Sequence, residues 1–143
     1  MNAGRIILGG LLAGLVINVG EYVLNGVILK DQWDAAMAQL ELPVMTGGDI
    51  GVLVVMSFLT GIGLVWLYAA IRPRFGAGAK TALIAGFFAW ILLSVWPFVW
   101  NNLVPIYPSN LAMIGLVWGF FQYPIATFLG AWLYKEGPPG AAV

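Results

Sequence analysis

From Thr81 to Tyr134 the chain carries no charged residue, and the run is interrupted only by NNLVPIYPSN between Asn101 and Asn110. Two prolines and flanking amides make that interruption a turn, so the run divides into two apolar stretches, 81–100 and 111–134. Each meets the roughly 20 residues needed to cross about 30 Å of hydrocarbon as a helix. Two stretches of the same kind lie upstream: 50–71, without a charge, and 6–29, with one. In lipid only helices and closed barrels satisfy every backbone N–H and C=O, and apolar runs of this length are helices. The expectation is an all-α fold, a four-helix transmembrane bundle that makes 1–143 a single integral membrane domain.

Composition excludes the alternatives. With 62% hydrophobic and 8% charged residues, against about 25% charged in soluble domains, the chain is not a water-soluble monomer. It has no cysteine and no histidine, which removes disulfides, thiolate nucleophiles, His-ligated metals and Ser–His–Asp chemistry. No metal and no cofactor are expected. Six basic residues balance six acidic ones, so there is no electrostatic footprint for nucleic acid. The partner that composition implies is the lipid bilayer.

Basic residues orient the spans. Arg5, Arg72, Arg74, Lys80 and Lys135 fall on one side if four helices alternate, and only Lys30 on the other. Cytoplasmic loops carry the excess of Lys and Arg, which predicts a protein of the cytoplasmic (inner) membrane with both termini and the second loop on the cytoplasmic side and the first and third loops outside. The first span is expected to be retained, because a signal-peptide apolar region is typically about 7–15 residues and no small-x-small cleavage pattern follows this one. Trp66 and Tyr68, Trp132 and Tyr134 at the inner ends, and Trp33, Trp96, Trp100 and Tyr107 at the outer, read as interfacial aromatic belts. The tripeptide Trp66-Leu67-Tyr68 recurs as Trp132-Leu133-Tyr134, which fits either two parallel helical hairpins or convergence on belt chemistry.

Between the first two spans, KDQWDAAMAQLELP predicts a short interfacial amphipathic helix over 31–42, with Asp31 as its N-cap, Trp33, Met37 and Leu40 on one face, and Pro43 as its stop. It is read as a connector packed over the mouth of the bundle, or else as a gating lid. Gly76 to Lys80 reads as a linker and the final GPPGAAV as a frayed end.

Glu21 is the one ionisable acid or base inside a span. A charge near the bilayer centre costs about 2.5–3.5 kcal/mol on insertion scales, so Glu21 is expected to face the bundle interior or water. Gly14, Asn18, Glu21 and Asn25 form a polar stripe on the first helix, and Gly115, Gly119, Gln122, Ala126 and Gly130 a small-residue stripe on the fourth. At about 1.5 Å per residue, Ser57, Thr60 and Ser94 fall at depths similar to Glu21, Asn18 and Gln122. Pro97 and Pro124 lie close to the same layer, where they free helix carbonyls and bend the helices. Gly10-x-x-x-Gly14, Gly115-x-x-x-Gly119 and Ala126-x-x-x-Gly130 are small-xxx-small patterns that allow close backbone approach, here between the first and fourth helices. They also predict self-association, or incorporation into a larger membrane complex.

Two functions are compatible with this layer. As interhelical glue its hydrogen bonds fix helix register, and the chain is a non-enzymatic packing, assembly or accessory protein. Alternatively it is a small proton- or cation-coupled transporter or binding protein, with Glu21, Asn18, Asn25, Gln122, Ser57, Thr60 and Ser94 as candidate substrate- or proton-binding residues in an outward-facing polar layer. Enzymatic chemistry is not expected, because no hydroxyl has a His or an intramembrane Lys as its base. Small multidrug-resistance transporters offer a physical analogy, with four short spans and a carboxylate in the first, but only one glutamate corresponds and the loops differ. With INVGEYVLNG, WLYAAIRPRFG and GAWLYKEG, the chain is similar to small four-span bacterial membrane proteins. That resemblance implies no activity and no catalytic residue.

Overall fold

The computed structural model describes residues 1–135, so the final GPPGAAV lies outside the described residues. Everything regular among them is helical. Four helices are long and apolar enough to cross a membrane: α1 (Ala3–Ile28), α3 (Gly47–Phe75), α4 (Ala79–Leu103) and α5 (Ser109–Leu133). A short helix, α2 (Lys30–Gln39), follows α1. Helix α1 packs against α3 and α5, α4 packs against α5, and α3 also touches α4 and α5.

Capping chemistry, rather than the last apolar residue, sets the helix limits. Asn2 accepts the Arg5 N–H at 3.0 Å and starts α1. A reciprocal capping box starts α3, in which the Thr46 hydroxyl accepts the Asp49 N–H while the Asp49 carboxylate accepts the Thr46 N–H. Helix α3 therefore begins at Gly47, ahead of the apolar stretch, and runs through Pro73 to Phe75. The linker to α4 is only a tight turn, with Gly76 at φ 85° and Gly78 at φ 126°, values that suit glycine. The Thr81 hydroxyl closes it by donating to the Gly76 carbonyl at 2.7 Å.

Two expectations for α2 are corrected. Its N-cap position is Leu29, with Asp31 inside the first turn, because α1 passes directly into α2 with one residue between them and leaves no room for an Asp cap. Pro43 does not stop it either. The Leu42 N–H bonds the Met37 carbonyl and the Glu41 N–H the Ala38 carbonyl, while Glu41 adopts φ 53°. This is a Schellman cap, which ends the helix ahead of the proline.

Small residues bring the long helices together. The main core is rich in alanine, with Ala13, Ala69, Ala82, Ala85 and Ala126 nearly or fully buried. Gly10 and Gly14 do not face α5 as expected. They lie against Ile62 and Phe58 of α3, and a Cβ on Gly61 would overlap the backbone at both. Helices α1 and α5 do pack together, but through Gly9 and Ala13 against Gly130, and through Gly20 beside Gln122. Gly119 faces Ser94 of α4, and Gly86 of α4 faces Pro124. The small residues to which the sequence assigns self-association thus pack largely within the chain. Outward, large apolar side chains are well exposed, among them Val52, Phe121 and Trp132.

The aromatic belts are also revised. Trp66, Trp96, Trp100 and Trp132 are more than half exposed. Trp33, Tyr68, Tyr107 and Tyr134 turn inward instead, where each meets another aromatic ring. Tyr68 and Tyr134 are 4% exposed and meet edge to face with centroids 6.0 Å apart. The Tyr68 hydroxyl accepts the Gly78 N–H and the Tyr134 hydroxyl the Asn2 N–H. Both copies of the Trp-Leu-Tyr tripeptide therefore turn Trp outward and Tyr inward.

Candidate functional site

Helical geometry changes where the candidate residues cluster. Helix α1 is α-helical to Glu21 and π-helical from Tyr22 to Ile28, and α4 is π-helical from Ile91 to Val95, just before Pro97. Proline lacks an N–H and its ring crowds the carbonyl four residues back, and a wider turn at that point relieves the clash. The departure in α1 has no proline to cause it. Such π segments frequently mark functional sites, and these two border the same space.

That space is a cavity of about 230 Å³ between α1, α4 and α5. Glu21, Leu24 and Asn25 border it from α1, Leu93, Ser94 and Pro97 from α4, and Gly115, Gly119 and Tyr123 from α5, while Trp33 of α2 and Tyr107 of the α4–α5 loop also line it. Gly115 leaves part of it unfilled, since a Cβ there would meet nothing within 4 Å.

Glu21 is the terminus of a hydrogen-bond chain. Its Oε1 accepts from Gln122 Nε2 at 2.7 Å, and its Oε2 from Asn25 Nδ2 at 2.7 Å. Each amide oxygen accepts from an indole in turn: Trp118 Nε1 donates to Gln122 Oε1 at 2.5 Å, and Trp33 Nε1 to Asn25 Oδ1 at 2.8 Å. Every donor thus points toward the carboxylate, and such aligned chains polarise one another. An ionised carboxylate has about four acceptor sites; the two amides occupy two of them. The side of Glu21 that borders the cavity keeps acceptor capacity for a proton donor or a cation.

The expected single layer is divided. Glu21, Asn25 and Ser94 line the cavity, and Gln122 is bonded to Glu21. Asn18 lies on the α1–α3 face, donating to the carbonyls of Gly14 and Val54. The Ser57 hydroxyl donates back to its own helix at Leu53, as single hydroxyls in apolar helices often do. Thr60 sits on α3, which contributes no residue to the cavity lining. Of the packing candidates, Gly115 and Gly119 line the cavity, whereas Gly10, Gly14, Ala126 and Gly130 are buried in the helix contacts of the core.

Several site residues are not evident from the sequence. Trp33 reads as a belt residue and Trp118 carries no signal at all, yet their N–H groups feed the two amides. Asn101 reads as a turn amide, yet it is 1% exposed. Its Oδ1 accepts from the Ile106 and Tyr107 N–H groups and its Nδ2 donates to the Tyr107 carbonyl. These bonds fold the loop so that Tyr107 meets Trp33, with centroids 5.5 Å apart. The asparagine before a two-proline turn is the only sequence signal for this arrangement.

No protein-family model matches the chain, and no curated protein or solved structure matches it. Its function is therefore read from the geometry of the site.

Proposed function

We propose that the chain is a non-enzymatic, multi-pass integral membrane protein of the cytoplasmic (inner) membrane that binds a proton or a small cationic solute at Glu21, in a cavity facing the outer side. In this reading the four long helices span the bilayer. Both termini and the tight turn at 76–78 lie on the cytoplasmic side with Arg5, Arg72, Arg74, Lys80 and Lys135. Helix α2 and the loop bearing Tyr107 lie outside. The exposed apolar flanks of the helices support this, since contiguous apolar surface of that extent marks contact with lipid or protein.

One observation carries the binding function: a carboxylate on the first long apolar helix receives two amide bonds and also borders a cavity whose lining includes no basic residue. Within a bilayer an anion without a counter-charge is costly even when partly buried, and in this reading the missing positive charge is a proton or cation drawn from water. The test is to titrate the purified protein with sodium, ammonium and acid while following indole fluorescence, since Trp33 and Trp118 are bonded into the Glu21 network. A saturable change with at least one of these cations, abolished in Glu21→Gln, is the expected result. A flat response, or one that persists in Glu21→Gln, would overturn the reading.

A second reading has its own observation. Both carboxylate oxygens are already engaged by amides, one of them from α5, so the network also ties α1 to α5. As glue alone, such bonds contribute about 0.6 kcal/mol on average. The fluorescence titration separates the two readings.

A further inference from the structure

Helix α2 is joined to α1 by the single residue Leu29 (φ −102°, ψ 5°), and to α3 by the exposed segment 40–46. The helical bonding runs on through Leu29, whose N–H bonds the Leu24 carbonyl and whose carbonyl accepts the Trp33 N–H, but its backbone angles leave the helical region and mark the hinge position. The grip of α2 on the rest of the molecule is small. Leu29 and Ala36 are buried in a satellite cluster with Leu24 and Leu111, Gln32 accepts a long 3.4 Å bond from Asn110, and Trp33 packs on Tyr107 and donates to Asn25. The Lys30–Asp34 ion pair lies within α2 itself and holds nothing else. Trp33 is both a cavity-lining residue and the strongest polar tie between α2 and the helices beneath it.

The Asn25 carboxamide is one planar group, which accepts from Trp33 through its oxygen and donates to Glu21 through its nitrogen. Neither bond can be exchanged by rotating the amide without turning like against like. Resting on the reading of the Glu21 cavity as a water-accessible site, we propose that α2 is a hinged lid over that cavity. Its latch is the Trp33–Asn25 hydrogen bond, held in register by the Glu21 carboxylate through the shared Asn25 amide. A proton or cation that settles on Glu21 Oε2, the oxygen that accepts from Asn25, draws electron density from that bond, weakens the hold on the Asn25 amide and so loosens the latch from inside the cavity.

Glutamine at position 21 exposes this coupling. It offers one oxygen and one NH₂ where the carboxylate offers two oxygens. Gln122 and Asn25 both donate to position 21, so only one of them keeps an acceptor. Gln122 is buried in the helix contacts whereas Asn25 is only partly buried, so Asn25 is the amide that flips to accept from the new NH₂, and its own NH₂ then meets the Trp33 N–H. A substitution one link removed from the lid is thereby transmitted to it.

The test uses the cysteine-free chain with a cysteine introduced by Gly115→Cys, where the side chain enters open cavity space. A membrane-impermeant thiol reagent is applied from outside to the full-length protein in oriented vesicles, and the rate of labelling is read. Trp33→Phe keeps an aromatic ring against Tyr107 but removes the N–H. It should speed labelling at least fivefold, and Glu21→Gln should do the same. Asn25→Leu cuts the latch from its other end, so Trp33→Phe combined with Asn25→Leu should be no faster than the faster single variant. Ala126→Cys, fully buried in the core, should stay silent in every background, which separates lid opening from unfolding. Rates within twofold across Trp33→Phe and Asn25→Leu overturn the lid while leaving the wet cavity standing. Acceleration by those two but not by a folded Glu21→Gln overturns the coupling and with it the proposal. Absence of labelling at position 115 in every background overturns the water-accessible cavity as well.

Discussion

Gln122 donates to Glu21 at 2.7 Å across 101 positions of sequence, and the same amide accepts from Trp118 at 2.5 Å. The bond joins the first and last long helices and gives one carboxylate oxygen its donor. Gln122→Leu therefore strands both Glu21 Oε1 and the Trp118 N–H. A loss of about 1–2 kcal/mol is expected, at the upper end for interhelical bonds in apolar surroundings, measured by unfolding in mixed detergent micelles. Trp118→Phe, which leaves the Gln122–Glu21 bond intact, should cost less. Equal losses would contradict the order of the chain.

Close approach of α1 and α3 depends on Gly61, whose added Cβ would overlap the backbone at Gly10 and Gly14. Gly61→Val should prevent the native packing and abolish the folded, monodisperse protein on size exclusion. Gly63, two residues on, faces open space, and Gly63→Ala should be neutral or stabilising by up to about 1 kcal/mol through reduced backbone freedom. The contrast between the two positions tests the α1–α3 interface directly.

Glu41 holds a left-handed conformation at φ 53° in the Schellman cap of α2. For a residue with a Cβ this costs roughly 1–2 kcal/mol, so Glu41→Gly should stabilise α2. Slower amide exchange at Leu40 to Leu42 is the readout. Unchanged or faster exchange would mean that the cap is not the limiting feature of that helix end.

At the opposite end, the Tyr68 hydroxyl accepts from Gly78 N–H at 3.2 Å, within the α3–α4 turn. Tyr68→Phe keeps the edge-to-face contact with Tyr134 and removes only that acceptor. A net loss of about 0.5–1.5 kcal/mol is expected, with the Gly78 amide exchanging faster than its neighbours. Tyr68→Ala should cost substantially more, because it also opens a cavity in the core.

Lys30 is held above its ordinary value of 10.5 chiefly by its hydrogen bond to Asp34, and secondarily by that residue's charge. A raised basic group stabilises the fold below its unfolded value, and the contribution is lost as pH climbs through the folded value. The Lys30–Asp34 pair should therefore be insensitive to pH between about 7 and 9 and weaken only above 10.5. Both side chains are exposed, so salt screens the pair and Lys30→Ala should leave amide exchange in α2 nearly unchanged at physiological ionic strength. A marked rise in exchange with that variant would show that α2 is anchored by charge rather than by Trp33.

Much of this architecture is legible in the residues alone. Long charge-free runs set the number of apolar helices, because a backbone in hydrocarbon must bond to itself. The short helix after the first of them, and Glu21 as the residue that needs explaining, are equally visible, since both depend on local pattern. Even the capping box of Thr46 and Asp49 lies open in the sequence as T-x-x-D, although an apolar count that stops at Asp49 passes over it. Other matters depend on which helix face meets which neighbour. The wider turns after Glu21 and before Pro97 shift the phase of each helix, so extrapolating 3.6 residues per turn misplaces the side chains beyond them. Asn18 then falls on the α3 side and Asn25 on the cavity side, although the two share a stripe in the ideal projection. A small-xxx-small motif likewise states that a backbone can come close, not which backbone does, so Gly10 and Gly14 meet α3. The sequence by itself determined the helices, their apolarity and the solitary carboxylate, because these depend on local chemistry and chain length. Only the tertiary structure decided that Trp33, Asn25, Gln122 and Trp118 converge on Glu21 beside a cavity, because a hydrogen bond needs two groups within about 3 Å and the sequence keeps those groups on three different helices.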